Sequence, residues 1–352
     1  MESSKTGILL INIGTPDIPT PQAVGTYLKE FLSDPFVLDL PAPIRYALVH
    51  WLIVPRRKIA SAALYQLIWS STGSPLLYHS RRLADSVGKI MGSQFVVKAA
   101  MRYGNPSIKE VVSEMREEGV TRLVAIPLYP QYSLSATESA RSEVIKRSGD
   151  LSTEILAPFF DRPAFLDLYA ERVRSALSDF QWDRVLFSFH GLPIRHVTKL
   201  HDFCKVDDQC CDSLSDNNRL CYRAQCFFTA RELAKRLALA PDQFEVAFQS
   251  RLNSRWITPF SDTRYAELPH EGVKRLAVVC PSFVADCLET LEEVQIRGAR
   301  TFQNHGGEAL KLVPSLNSEP EWAEAVSTWV RERLELCFHG EGATAPPLAG
   351  ST

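Results

Sequence analysis

No stretch of the 352-residue chain stays apolar over the roughly 20 residues that a membrane-spanning helix needs. The opening MESSKTGILLINIG has only a short apolar run, with no basic lead and no small-residue cleavage site, so it does not read as a secretory leader. A cytoplasmic setting is expected, in which thiols stay reduced. The chain also lacks an excess of one charge. Its 39 Lys and Arg face 41 Asp and Glu, a formal net charge of -2, which leaves no basic footprint for nucleic acid. GxGxxG and the Walker-type phosphate loop are both missing, so no ordinary nucleotide cradle is encoded.

The chain does hold apolar material for a sizeable core, 45% of its residues. Eight short β-rich runs lie at 7–14, 95–104, 122–131, 153–159, 184–193, 244–251, 275–283 and 310–317. They are almost continuously apolar, as strands buried on both faces must be. Helical patterns at 79–92, 107–118, 138–148, 164–179, 226–239 and 286–297 separate them. The alternation predicts an α/β fold with parallel sheets, divided four and four near residue 165. The expected domains are 1–165, then 166–337 with a terminal helix, then a disordered tail over 338–352 rich in small residues. Ligands of such sheets sit beyond the carboxyl ends of the strands.

Several strand ends carry chemistry. His190 follows the strand VLFSF, and imidazole is suited to take a proton or hold a metal near neutral pH, although a structural histidine is the commoner case. After the strand RLAVVCPSF, Asp286, Glu289 and Glu293 are spaced three and four apart, so one helical face is expected to carry all three. That face is either a solvated one or an attractor of cations. Arg102, Tyr103, Tyr129 and Tyr132 end two strands of the first half and suit a flat aromatic ligand as well as they suit packing. Ser133, Ser135 and Thr137 either bind carboxylates or cap a helix. Residues 42–69 combine bulky apolar side chains with Arg56, Arg57 and Lys58, which fits either a buried helix pair or a lip that meets a membrane surface.

Five of the eight cysteines, Cys204, Cys210, Cys211, Cys221 and Cys226, fall between His201 and Cys226. A disulfide staple, a metal site and an accident of composition compete to explain them. A reducing compartment weighs against the staple.

The segments LLINIGTPDIPTPQAVGTYLKEFLSDPFVLDLP, MRYGNPSI, PLYPQYSLSAT, SFHGLP and FVADCLETLEEV, in this order, resemble ferrochelatases, and the likeness runs from about residue 7 to about residue 335. The resemblance implies two similar Rossmann-like, chelatase-type domains, each with a four-stranded parallel sheet, around a porphyrin cleft. It implies insertion of ferrous iron into protoporphyrin IX, the last step of heme synthesis, by a lyase peripheral to the membrane. It places the catalytic histidine at His190, the key carboxylate at Glu289 and a second at Glu293, with His190 and Glu289 meeting the metal. Porphyrin contacts fall on Asn12, Ile13, Arg102, Tyr103, Tyr132, Ser133, Gln249 and Trp256, and propionate contacts on Arg56 and Arg57. Where many relatives read Asp-His-x-Glu, this chain reads Asp286-Cys287-Leu288-Glu289, a soft thiol for an imidazole. Some ferrochelatases carry a [2Fe–2S] cluster, and the resemblance extends to a group with internal ligands. Here they would be Cys204, one or both of Cys210 and Cys211, Cys221, and Cys226, with zinc as the competing occupant. A monomer is expected, because the family's C-terminal dimerising extension has no counterpart. The alternatives are a chelatase for cobalt or nickel and a non-catalytic heme or porphyrin carrier.

Overall fold

Alternation along the strands explains how the chain stacks. The computed structural model describes residues 5–201 and 204–338. Strands β1 (Lys5–Thr15), β2 (Phe95–Gly104), β3 (Val120–Pro127) and β4 (Ser152–Ile155) form one parallel sheet in the order β2-β1-β3-β4. Strands β5 (Arg184–His190), β6 (Phe244–Gln249), β7 (Arg275–Val279) and β8 (Ala309–Leu312) form a second parallel sheet in the order β6-β5-β7-β8. Each half therefore winds in the same sequence, and helices cover both faces of each sheet, as parallel strands require.

On β1, Ile8 and Leu10 face one way and Leu9 and Ile11 the other, and all four are buried. Ile8 and Leu10 join Val124 and Ile126 in a core that continues into Val185, Phe187 and Phe189 of β5. Leu9 and Ile11 pack with Val111, Met115 and Val144 on the outer helices of the first half. The second half repeats this, with Leu186, Leu276 and Val278 packed against Tyr265 and Phe302. One shared core and two outer ones hold the sheets so that their carboxyl ends converge.

Local chemistry sets the helix starts. Thr20 accepts from the Ala23 amide ahead of Pro21, and Ser107 forms a reciprocal capping box with Glu110. The helix Pro320–Phe338 returns to the first half: Arg331 donates to the Ile90 carbonyl at 3.1 Å, and Arg333 pairs with Glu154 at 2.7 Å. The tail 339–352, expected to be disordered, lies outside the described residues.

Two elements differ from the periodicity. The helix expected from 226 begins at Tyr222, which puts Cys221 at its cap and Cys226 inside it. The segment Glu289–Gly298 is π-helical rather than α-helical, as are Leu48–Ile53 and Leu134–Glu138. Such wide turns are uncommon and gather at functional sites. Gly14, at φ 119°, lets β1 approach β2 so closely that a Cβ there would lie 1.8 Å from the Tyr103 carbonyl oxygen.

Candidate active site between the strand ends

His190 is the last residue of β5 and stands opposite Gln249, the last of β6. Its ring lies between Trp256 and Phe283, with centroids 6.4 and 6.1 Å away. His190 Nδ1 is 2.6 Å from the Gly191 carbonyl oxygen. A carbonyl can only accept, so Nδ1 carries a proton, and Nε2 is the ring nitrogen left to act as an acceptor. Gly191 cannot be larger: a Cβ would meet the Gln249 carbonyl oxygen at 2.6 Å.

The carboxylates sit on the π-helical segment and are gripped by the end of β6. Gln249 Nε2 donates to the Glu289 carbonyl at 2.8 Å, while its own Oε1 accepts from Ser188 at 2.8 Å. Ser250, in a left-handed conformation at φ 65°, donates its amide to Glu293 at 2.7 Å and its hydroxyl to the other carboxylate oxygen. Burial raises the Glu293 pKa, the two Ser250 bonds oppose this, and the charge of Glu289 adds to the rise. Across the cleft, Tyr27 and Tyr65 of the first half are hydrogen-bonded to each other, and the charge of Glu289 reaches both.

Asp286 does not share that face. It is 7% exposed, and its carboxylate accepts from Asn317 Nδ2 at 2.7 Å, the Ser315 amide at 3.2 Å and Thr290 Oγ1 at 3.2 Å. The expectation of three carboxylates on one α-helical face is corrected here, because the helix starts only after Asp286 and turns as a π-helix. The Cys287 thiol lies buried against Glu289 and packs with Leu76 and Ile13 of the first half.

A family model described as ferrochelatase matches residues 5–334. The chain belongs to the ferrochelatase family. A ferrochelatase of Coxiella burnetii (strain CbuK_Q154) is 45% identical over 95% of this chain and 95% of its own length. One of Pseudomonas fluorescens biotype C is 44% identical over 91% of this chain and 96% of its own, and one of Legionella pneumophila (strain Corby) is 42% identical over 94% and 100%. Among solved structures, SirB from Bacillus subtilis with Fe3+ covers 95% of this chain and 98% of its own, at 12% identity and a TM-score of 0.51, a likeness of fold. Membership in the ferrochelatase family makes the chain a lyase-class metal chelatase.

The remaining residues expected for a ferrochelatase pocket divide. Ile13 packs across the cleft with Phe283, Ala285 and Cys287. Asn12, buried, donates to Ser80 at 3.4 Å. Tyr132 donates its amide to Gln225 Oε1 at 2.6 Å, its hydroxyl has no partner among the described residues, and burial pushes its pKa up to about 12. Ser133 and Thr137 are spent on the backbone: Ser133 caps the π-turn through the Ala136 amide, and Thr137 accepts from the Ser133 amide. Arg102 is ion-paired with Asp34, and Tyr103 donates to the same carboxylate at 2.9 Å. These two line a cavity of about 470 Å³ built wholly from the first half, with His50 and Glu30. Asp34, Tyr27, Tyr65 and Ser250 were not singled out from the sequence. Only the position of Ser250 in FQSR, at a strand end, could have marked any of them.

Arg56 and Arg57 are exposed on the helix Val54–Ile68, and Arg56 donates to the Leu52 carbonyl at 3.2 Å. Around them Ile44, Tyr46, Trp51, Leu52, Ile59 and Leu67 are exposed, so the expected lip is an apolar surface rather than a buried pair. No helix among the described residues is long and apolar enough to cross a membrane.

The thiol loop brings four sulfurs into a chain of contacts. Cys204 meets Cys210, Cys210 meets Cys211, and Cys211 accepts from Cys221. Cys211 is thereby lowered to about 6, helped by the Arg223 guanidinium, while burial and the bond to Cys211 push Cys221 up. Cys226 is fully buried and is paired with Tyr222 instead. Among the described residues no three His, Cys, Asp or Glu side chains converge as they would around a single metal ion.

Proposed function

We propose that, in the insertion of ferrous iron into protoporphyrin IX that this ferrochelatase performs, His190 is the base and Glu289 and Glu293 are the carboxylates that carry protons or metal at the other side of the macrocycle. Insertion exchanges two pyrrole protons for one divalent cation, so two protons must leave the ring. The observation that carries the reading is the fixed tautomer of His190: Nδ1 is committed to Gly191, and Nε2 is the lone pair available beside Trp256. Glu293, raised by burial, holds a proton more readily than an exposed carboxyl does and can pass it along the π-helix. Ile13, Tyr132, Gln249 and Trp256 then frame the ring, and Arg102 and Tyr103 contribute through the Asp34 network.

The two sheets are read as two domains that divide near residue 165, with the chain acting as a monomer. The apolar lip, with Arg56 and Arg57 at its side, supports docking on a membrane surface, where poorly soluble porphyrin partitions.

The thiol loop fits a [2Fe–2S] cluster. The four sulfurs stand in one chain of contacts, whose spread suits two bridged irons better than one tetrahedral zinc, and Cys211 is poised as a thiolate. Cys204, Cys210, Cys211 and Cys221 would hold it. A bound cluster supplies a covalent staple for the loop and a one-electron redox couple.

The test is His190→Ala, assayed by porphyrin fluorescence loss with ferrous iron under anaerobic conditions. Loss of insertion by about 100-fold or more with porphyrin binding retained is expected of a base. Full activity overturns the assignment. Porphyrin binding with no insertion by the unaltered protein would favour the carrier instead.

A further inference from the structure

We infer that Tyr222 is a positioning residue for His190, and that through it the thiol loop forms part of the catalytic frame. The inference rests on His190 being the base. Three groups close a ring of hydrogen bonds. The Tyr222 hydroxyl donates to the His190 carbonyl at 2.7 Å, the His190 amide donates to Ser282 Oγ at 3.4 Å, and Ser282 Oγ stands 3.1 Å from the Tyr222 oxygen. Because Ser282 accepts from His190 and Tyr222 donates to it, the Ser282 proton goes to Tyr222, and each bond polarises the next.

This ring fixes the His190–Gly191 peptide plane, from which the next carbonyl, that of Gly191, takes its direction. The carbonyl of the His190–Gly191 peptide is held by Tyr222, and its amide, on Gly191, is held by the Gln249 carbonyl at 2.7 Å. Gly191 in turn presents the carbonyl that takes the Nδ1 proton. Glycine has no side chain to stiffen its backbone, so the direction of that carbonyl rests on outside contacts. If the His190–Gly191 plane turns, it carries the Gly191 carbonyl away with it, Nδ1 loses its acceptor and the proton can move to Nε2, which removes the lone pair there.

Tyr222 is 6% exposed and belongs to the thiol loop as much as to the site. It opens its helix directly after Cys221, and Cys226, one turn on, bonds to its hydroxyl side. Gln225, three residues after Tyr222, accepts the Tyr132 amide on its Oε1 at 2.6 Å from the opposite half. The same helix start thus clamps both walls of the cleft, and any movement of the sulfur ligands reaches His190 in one residue.

Tyr222→Phe keeps the ring and removes only the hydroxyl. The expected result is a kcat lowered about 10-fold, as for one lost bond at the reacting centre, with KM for porphyrin unchanged. The ring ¹⁵N resonances of His190, assigned by their loss in His190→Asn, should shift from one tautomer toward a mixture. Ser282→Ala should reproduce both effects more weakly, and serves if the first variant does not fold. Unchanged kcat together with an unchanged ¹⁵N pattern in a folded variant overturns the inference. If His190→Asn itself retains insertion while Tyr222→Phe still shifts the ring, the catalytic assignment of His190 fails and the positioning contact stands.

Discussion

Asp286→Ala tests whether the first carboxylate after β7 is structural. The wild-type side chain is buried and takes three donors, from Asn317, Ser315 and Thr290, at 2.7, 3.2 and 3.2 Å. Alanine leaves the Asn317 and Ser315 donors without this acceptor, while Thr290 keeps the Cys287 carbonyl at 3.2 Å. A charge-assisted bond contributes about 1.5–3 kcal/mol, and each orphaned buried donor costs about 1 kcal/mol or more. Relief from carrying a buried charge offsets part of this, so a net loss of about 3–4 kcal/mol is expected. Asp286→Asn keeps one oxygen and should lose about half as much. Urea unfolding followed by tryptophan fluorescence reads the difference as a lower midpoint at constant slope. Against a total of about 5–15 kcal/mol, such a change is conspicuous. A loss under about 0.5 kcal/mol would refute the reasoning, since the donors would then have found other partners. Undiminished stability with abolished iron insertion would restore Asp286 to the cation-attracting face.

Two other perturbations separate charge from packing. Glu293 has a carboxyl pKa raised by burial from 4.5, so between that value and the raised one the folded protein binds more protons than the unfolded chain, and stability falls as pH rises through the window. Glu293→Gln removes that dependence: its stability relative to wild type should rise as the pH climbs past about 4.5, and a pH-independent difference in denaturation midpoint would contradict the burial argument. Trp51→Ser should weaken binding to anionic lipid vesicles about 10-fold in cosedimentation, because a side chain 73% exposed in water loses its apolar burial in the bilayer surface. Equal binding by the variant would move the membrane contact elsewhere.

The central strands are legible because a parallel strand buried on both faces has to be apolar throughout, and Ile8–Ile11 or Val185–Phe189 can be little else, whereas the edge strands β4 and β8 are only half-buried and show as shorter, mixed runs. His190 was legible for a related reason: it ends such a run, where parallel sheets expose their ligands. Glu289 and Glu293 were legible as a pair but not in their setting. A π-turn widens the helix without changing its residue types, so nothing in DCLETLEEV announces that Asp286 turns inward to Asn317. Arg102 and Tyr103 suit a flat ligand and packing equally in sequence, and the partner that holds them, Asp34, is 68 and 69 residues away. Contacts of that range, like those of Tyr27 and Tyr65 beside Glu289, follow from how the halves meet, which no local pattern encodes.

The cysteines set the same limit most sharply, and they yield the last prediction. In sequence Cys221 and Cys226 are equivalent members of one acidic, sulfur-rich stretch. The early helix start separates them. Cys221 caps the helix and faces the loop, where it donates to Cys211, whereas Cys226 lies more than one turn on and points to Tyr222 in the core. A residue one turn into a helix cannot follow its cap into the loop without unwinding that helix. Anaerobically purified protein should therefore show visible absorption that bleaches with dithionite, with iron and sulfide in equal amounts. Cys221→Ser and Cys211→Ser should abolish it, and Cys226→Ala should keep it. Loss of colour in Cys226→Ala with Cys210→Ser unaffected would exchange the fourth ligand. A colourless protein that retains zinc after the same purification would replace the cluster, and then four sulfurs strung in one chain of contacts would have to close around one ion.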